Sequence, residues 1–296
     1  MSKETSIRAA PPDNQEPSGL RPGPSDELIQ LEIQLLLEGI YQYYGLDFRQ
    51  YAPKSLRRRI QKLIDSTHLD SISSLQARVL HDPAWMERLM GALTISVTSL
   101  FRDPVFYRAL RDKVLSVLAE QSLVKIWIAG CATGEEVYSL AILLEEAGLY
   151  DRCRIYATDL NPKLLEQAKA GIFPIQVMAE YSRNYLQAGG RRTLSHYYTA
   201  RSQHAIFHAS LRRNVVFAQH NLVTDRSFNV FELILCRNVL IYFQPELQAQ
   251  VHRLFYDSLD SEGFLALGMQ ESLSLTPHEA KYQACDEICK IYLKQV

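Results

Sequence analysis

The feature that most constrains the fold is a short apolar run followed at once by a glycine turn and an amphipathic helix, KIWIAGCATGEEVYSLAILL at residues 125–144. The β-branched and aromatic residues of the run predict a buried parallel strand. Gly130 and Gly134 end it, and the apolar side chains after Glu136 fall on one helical face. A strand, a glycine turn and a helix in this order predict an α/β fold in which the turn opens a nucleotide site.

The turn alone leaves two interpretations open. It matches neither of the usual phosphate-binding patterns, GxGxxG and GxxxxGK[ST]. Glu135 and Glu136, directly after the turn, would repel a phosphate but suit a ligand that carries hydroxyl groups and positive charge. A tight turn in any α/β protein could have the same sequence.

The βα pattern then repeats. Residues 153–158 predict a second strand that ends in Asp159, and Asn161-Pro162 predicts the start of a helix. An acidic residue at the end of the second strand is where such folds bind ribose hydroxyls, although a helix cap is an alternative role. Residues 172–213 predict a small β insertion. Further strands are predicted at residues 214–218, 231–235, 263–267 and 288–293, the last two as an antiparallel pair.

The region before this domain has a different pattern. Residues 1–24 are polar and proline-rich and predict a disordered tail. Residues 25–92 predict helices without strands, and therefore an all-α N-terminal domain. Residues 93–104, rich in serine and threonine, are predicted to link it to an α/β domain over residues 105–296 and to contribute to the cofactor site.

A helix predicted at about residues 54–65 carries a run of positive charge. Its basic residues are Lys54, Arg57, Arg58, Arg59 and Lys62, with no acid among them. Helical spacing places Lys54, Arg58 and Lys62 on one side. This basic side is either a solvated face or a docking surface for an acidic partner helix.

Composition argues against several classes of protein. The net charge of -1 indicates no general attraction to nucleic acid. No apolar run approaches the ~20 residues of a membrane span, and the N-terminus lacks a signal-peptide core, which favours a cytoplasmic protein without membrane insertion. The five cysteines have scattered spacings, so reduced thiols are expected and no metal site is predicted.

Five stretches taken together resemble a known family. In chain order they are LTISVTSLFRD, GCATGEEVYS, ATDLN, HNL and CRNVLIYF. With them, the chain from about residue 28 onward resembles the chemoreceptor glutamate methyltransferases of the CheR type. The resemblance implies a Rossmann-like methyltransferase domain with a small inserted β subdomain, preceded by an all-α domain. It also implies transfer of a methyl group from S-adenosyl-L-methionine (SAM) to glutamates of a chemoreceptor's cytoplasmic methylation region. The products would be glutamate methyl esters and S-adenosyl-L-homocysteine, formed for adaptation in chemotaxis-type signalling.

The resemblance also assigns site residues. Arg102 and Tyr242 are expected near the transferring methyl group and the substrate carboxylate, although Tyr242 could instead be a packed aromatic. Asp159 would bind the ribose hydroxyls, and Asn221 and Leu222 would flank the adenine. The cofactor contacts it implies are Ser96, Thr98, Arg102, Gly130, Glu136, Asp159, Asn221, Leu222, Arg237, Asn238 and Val239. A glutamate is already ionised at neutral pH, which agrees with the absence of a Ser/His/Asp or Cys/His set.

The chain departs from the family pattern at three places. Ser96 replaces a common asparagine, which weakens its expected cofactor contact, and Val137 replaces a common proline. The predicted hairpin around residues 201–204 is short and lacks glycine, which disfavours tethering to a receptor's C-terminal peptide. A protein that keeps SAM as a structural or sensory ligand is the alternative function, and a labelled-methyl assay would separate the two.

Overall fold

The structure, a computed structural model, describes residues 25–94, 98–274 and 276–295. The predicted tail at residues 1–24 and the predicted cofactor contact Ser96 lie outside these ranges. The helices are α1 Asp26–Tyr44, α2 Pro53–Thr67, α3 Ile72–His81, α4 Pro83–Leu93, α5 Pro104–Leu110, α6 Ser116–Leu118, α7 Glu135–Glu146, α8 Pro162–Ala170, α9 Met178–Gln187 and α10 Pro245–Ser258. The strands are β1 Val124–Ala129, β2 Cys153–Asp159, β3 Ile172–Pro174, β4 Tyr198–Arg201, β5 His204–Phe207, β6 Val215–Gln219, β7 Phe231–Cys236, β8 Leu259–Leu267, β9 Tyr282–Asp286 and β10 Ile291–Lys294.

Helices α1 to α4 form a unit with its own apolar core. Ser25 caps α1, since its Oγ accepts a hydrogen bond from Leu28 N (3.2 Å). Ser71 and Asp82 cap α3 and α4 in the same way. Apolar residues one helical turn apart, such as Leu56 and Ile60 on α2, point into this core. The predicted absence of strands from residues 25–92 is confirmed within the described residues, apart from one isolated bridge at Tyr51.

The main sheet has the order β6-β2-β1-β7-β8-β10-β9 in the described part of the chain. Strands β6, β2, β1, β7 and β8 are parallel, and β10 pairs antiparallel with β8 and β9. The predicted α/β fold is therefore confirmed, and so is the antiparallel pair of late strands. The chain runs outward from β1 to β2 and β6 and then returns to the other side of β1 as β7. Such a reversal of strand order opens a crevice at the carboxyl ends of the strands.

Strand β1 is buried on both faces, as its apolar run predicts. Ile126 and Ile128 point into the core beneath α5 and α7, while Trp127 and Ala129 point into the core beneath α10. The Trp127 indole satisfies its N–H by donating to Thr158 Oγ1 on β2 (2.8 Å).

The insertion forms a second sheet with the order β3-β5-β4. Strands β4 and β5 form the predicted hairpin, with Arg201 opposite His204. The insertion also contains helix α9, which the sequence interpretation did not predict. The helical segment that follows Asp103 consists of α5, a π-helical turn at Arg111–Leu115, and α6.

Candidate active site

One cavity lies at the carboxyl ends of β1, β2 and β7. It is an open cleft, and the space between its walls, open mouth included, is about 1030 Å³. Eleven predicted site residues line it: Thr98, Arg102, Gly130, Glu136, Asp159, Asn221, Leu222, Arg237, Asn238, Val239 and Tyr242. The structure therefore brings together, from five separate stretches, every predicted cofactor and catalytic residue that it describes.

The floor of the cavity is the glycine turn after β1. Gly130 has φ +81°, and a Cβ on it would lie 2.5 Å from Val239 Cγ2. Gly130 N and Cys131 N both donate to Thr158 O of β2 (2.8 and 2.9 Å). Only glycine allows this backbone conformation and this close approach of the two loops without strain.

Asp159 joins the turn to the start of α8. Its Oδ2 accepts a hydrogen bond from Ala132 N (2.9 Å) and its Oδ1 accepts one from Asn161 N (2.9 Å). Burial raises the pKa of Asp159, and these backbone N–H groups partly offset the rise. Asn161, rather than Asp159, is the cap of α8, because Asn161 Oδ1 accepts from Lys163 N. Each Asp159 oxygen keeps a second lone pair that can accept a ligand hydroxyl.

The two consecutive glutamates have different surroundings. Glu136 lines the cavity, and its Oε1 accepts from Arg237 Nη1 (2.9 Å). Glu135 points away, since its carboxylate accepts from Thr133 Oγ1 (2.6 Å) and Tyr181 Oη (3.1 Å). Burial raises the pKa of Glu135. Only Glu136 of the pair is therefore placed to contact a ligand in the cavity.

Arg237 is the most enclosed charge at the site. Its side chain is 2% exposed, Nη2 donates to Asp103 Oδ2 (2.8 Å), and the guanidinium lies 3.9 Å from the centre of the Phe106 ring. Because both terminal nitrogens bind acids, Arg237 holds Glu136 and Asp103 in place at the cavity wall. This adds a structural role to the predicted cofactor contact.

Arg102 stands on a strained bend. Its neighbours Phe101 and Asp103 have φ values of 52° and 58°, in the left-handed region that favours glycine. Phe101 is anchored because its N–H donates to Ser139 Oγ on α7 (2.8 Å). The Phe101 ring also packs against Tyr107, with the ring centres 4.9 Å apart. Strain of this kind persists only where surrounding contacts enforce it, and here the bend places Arg102 on the cavity wall.

The helical unit closes the cavity beside Tyr242. Ala52 N, just before α2, donates to Tyr242 O (2.8 Å), and the rings of Tyr51 and Phe243 pack with centres 4.8 Å apart. Tyr51 lines the cavity itself, together with Leu93 and Thr94 from the end of α4. Sequence reasoning missed Tyr51 because no local pattern indicates a contact between segments about 190 residues apart. Leu93 and Thr94 lie in the segment, residues 93–104, that was predicted to contribute to the cofactor site.

The structure corrects the interpretation of Arg59. The sequence places Arg59 in the basic run, beside the basic side of α2. In the structure its guanidinium turns inward, donates to Leu93 O and lies 4.7 Å from the centre of the Tyr242 ring. Burial lowers the pKa of Arg59. Lys54, Arg58 and Lys62 are exposed as predicted. Arg57 is exposed and forms an ion pair with Asp26 (2.7 Å).

Within residues 25–94, 98–274 and 276–295, no group of three or more His, Cys, Asp or Glu side chains is arranged to hold a metal ion. Over the same residues, no helix has both the length and the apolar character that crossing a membrane requires.

Two protein-family models match consecutive parts of the chain. The model described as "CheR methyltransferase, all-alpha domain" matches residues 31–94, and the model described as "CheR methyltransferase, SAM binding domain" matches residues 96–289. The chain belongs to the CheR methyltransferase family. The resemblance seen in its motifs is thereby confirmed, as is SAM as the cofactor of this methyltransferase.

Relatives span nearly the whole chain. A Pseudomonas putida protein named Cher3 is 46% identical over 91% of this chain and 99% of its own length. A chemotaxis protein methyltransferase of Listeria monocytogenes is 31% identical over 77% of this chain and 85% of its own. Among solved structures, the N-methyltransferase NodS of Bradyrhizobium japonicum is 17% identical over 66% of this chain and 70% of its own, with a TM-score of 0.32. That last similarity is too low to support any statement about the site.

The cavity suits SAM chemically. Buried Asp159 at the end of β2 offers acceptors for the ribose hydroxyls, and Glu136 offers negative charge to an ammonium or sulfonium group. Leu222 and Val223 add apolar surface suited to an adenine ring. The donor set therefore fits the cofactor that the family uses.

Proposed function

We propose that this methyltransferase esterifies glutamate side chains in the cytoplasmic methylation region of a chemoreceptor. The observation that carries the proposal is the position of Arg102 and Tyr242 on the same cavity as Glu136 and Asp159. Two potential donors to a carboxylate thus share a site with the residues suited to the cofactor. The names of relatives such as the Listeria protein, a chemotaxis protein methyltransferase, support a substrate in the same signalling system.

The chemistry needs no base from the chain. When bound, SAM supplies an activated methyl group on a sulfonium sulfur. The acceptor is a carboxylate oxygen of the substrate, and since a glutamate is ionised at neutral pH, no proton has to be removed from it. The work left to the protein is positioning and exclusion of water. Arg102 can bind a carboxylate through two N–H groups, and Tyr242 can donate one hydrogen bond from its hydroxyl.

We propose the basic side of α2 as the docking surface for the receptor. Lys54, Arg58 and Lys62 are exposed, and α2 begins one residue after Ala52, whose N–H binds Tyr242 O. A helix carrying glutamates that lay along α2 would therefore pass close to the cavity. Arg57 adds charge beside this side, although Asp26 neutralises part of it. The alternative, a merely solvated face, remains an outcome of the test described below.

Two further predictions stay proposals. The hairpin between β4 and β5 turns at Arg201 and His204 and is short, so we infer that the enzyme recognises the receptor bundle directly rather than through a C-terminal peptide.

We also infer that residues 25–92 form a domain joined by residues 93–104 to the methyltransferase domain. The separate apolar core of α1 to α4 supports this division.

The test uses the full chain, SAM with a labelled methyl group, and cytoplasmic fragments of candidate receptors. Label that becomes bound to the receptor and is released as methanol in mild alkali is expected, because esters hydrolyse there whereas N-methyl groups do not. The matched control is the same fragment with its candidate glutamates changed to alanine. Alkali-stable label would contradict glutamate esterification. Tight SAM binding without any transfer would favour the alternative of a SAM-binding sensor.

A further inference from the structure

The loop between β7 and α10 supplies several residues of the cavity wall. Asn238, Val239 and Tyr242 all lie on it and line the cavity. Asn238 has φ 60°, a left-handed conformation that asparagine tolerates better than most residues. The turn aims the consecutive N–H groups of residues 238–241 toward one side, which makes a concave site for an anion.

A buried carboxylate occupies this concave site. Glu271 Oε1 accepts hydrogen bonds from Val239 N (2.8 Å) and Leu240 N (2.7 Å), with a longer one from Ile241 N (3.4 Å). Its Oε2 accepts one from Asn238 N (2.9 Å). Glu271 is 4% exposed, so water does not compete for these donors. The carboxylate therefore ties together consecutive peptide units of the loop.

Gly268 donates a further N–H to Glu271, and no side chain would fit at its position. Gly268 N donates to Glu271 Oε2 (2.6 Å). A Cβ on Gly268 would lie 2.7 Å from that oxygen and 2.8 Å from Asn238 N. The segment after β8 thus approaches the loop as closely as backbone allows, with the Glu271 carboxylate between them.

All of these donors are main-chain N–H groups, so the arrangement requires a group that only accepts. An ionised carboxylate has two acceptor oxygens, whereas an amide would turn one NH₂ group toward N–H donors. Burial raises the pKa of Glu271, and the hydrogen bonds from Gly268, Asn238 and Leu240 partly offset the rise. Hydrogen bonds to a charged acceptor are about twice as strong as neutral ones, which strengthens the restraint that Glu271 places on the loop.

We propose that Glu271 is a positioning residue for the active site: it holds residues 238–241 in the backbone conformation that places Asn238 and Val239 against the cofactor. The same restraint fixes the position of Tyr242, because its N–H donates to Val239 O (3.2 Å) in the next turn. The part of the proposal that concerns Tyr242 rests on the proposed glutamate methylation. The part that concerns the cofactor requires only SAM binding.

The test compares Glu271→Gln with the exposed control Glu287→Gln. Circular dichroism and thermal unfolding establish that each variant is folded, calorimetry gives the Kd for SAM, and the methylation assay gives kcat and the KM for receptor. Glu271→Gln is expected to raise the SAM Kd at least tenfold and to lower kcat more than it changes KM for receptor. The control should match the wild type in every measurement.

A purely structural role would lower the melting temperature and leave Kd and kcat unchanged where the protein is folded, and that result would overturn the proposal. Should Glu271→Gln not fold, Gly268→Ala decides, because it keeps the carboxylate but presses on it and on Asn238 N. The same rise in SAM Kd is expected from that variant, and a wild-type Kd would overturn the proposal. If the wild-type protein binds SAM but methylates no receptor, the proposed function fails while the Kd comparison still tests Glu271.

Discussion

Replacing Asp159 with alanine should weaken SAM binding by a predictable amount. Both carboxylate oxygens already accept one backbone N–H, and their remaining lone pairs would accept the ribose hydroxyls. A hydrogen bond to a charged group contributes about 1.5–3 kcal/mol. Loss of the ribose contacts should therefore weaken SAM binding by on the order of 1–3 kcal/mol. This corresponds to a rise in Kd of about 5- to 150-fold.

The same substitution should also lower stability. Ala132 N and Asn161 N would lose their acceptor at a site where both residues are buried, at a cost of about 1–3 kcal/mol each. Removing a desolvated carboxylate recovers part of that cost, as the raised pKa of Asp159 indicates. The net loss in the free energy of unfolding should therefore be about 1–4 kcal/mol, which a domain stable by roughly 5–15 kcal/mol tolerates.

Calorimetric titration measures the change in SAM Kd, and urea unfolding measures the change in the free energy of unfolding. Asp112→Ala is a matched control, because Asp112 is exposed and does not line the cavity. It should leave both quantities within error of the wild type. A folded Asp159→Ala protein with an unchanged SAM Kd would remove Asp159 from the cofactor site and refute the reasoning.

Three other predictions address chemistry, protonation and partner binding. Tyr242→Phe should keep the fold and most SAM affinity but lower turnover, since only the hydroxyl is lost; wild-type turnover at saturating receptor would exclude a role for that hydroxyl. Burial raises the pKa of Asp159. If its ionised form accepts the ribose hydroxyls, as predicted, SAM affinity should fall as the pH is lowered through that raised pKa. A flatter calorimetric pH profile is expected for Asp159→Asn, and identical profiles would contradict the assignment. Changing Arg58 and Lys62 to glutamate should raise the KM for receptor and flatten its salt dependence without altering SAM affinity, because exposed charge pairs contribute roughly 0.2–1 kcal/mol each and act mainly on encounter rate. If the variant and the wild type have equal KM values at low salt, the basic side of α2 takes no part in receptor docking.

Much of the cofactor side of the site could be predicted from local sequence. The strand, glycine turn and helix around Gly130 follow from hydrophobic period and from the backbone freedom of glycine, both of which are local properties. Asp159 follows from its place at the end of a strand, because carboxyl ends of parallel strands meet at one edge of a sheet. The motif residues Arg102 and Asn238 came from the family resemblance, and the structure places them on the same cavity.

Contacts with distant residues set the roles of Glu135, Glu136 and Arg237. Glu135 and Glu136 are adjacent and chemically identical, yet only Glu136 lines the cavity, because Tyr181 from the insertion binds Glu135. Arg237 is predicted only as a cofactor contact, and the structure adds its ion pairs with Asp103 and Glu136. Nothing in the neighbouring sequence distinguishes these outcomes.

The sequence by itself determined the fold class, most strands of the main sheet and the glycine turn that opens the crevice, because periodicity and turn chemistry act over a few residues. Only the tertiary structure decided that Tyr51 from the helical unit lines the cavity, that Arg59 packs on Tyr242 instead of facing solvent, and that Glu271 binds the loop some 30 residues before it. A tyrosine, an arginine or a glutamate has the same local signature whether it faces water or a distant loop. Its role is set by the partner that docking brings within hydrogen-bond distance, and by the burial that makes such a bond strong.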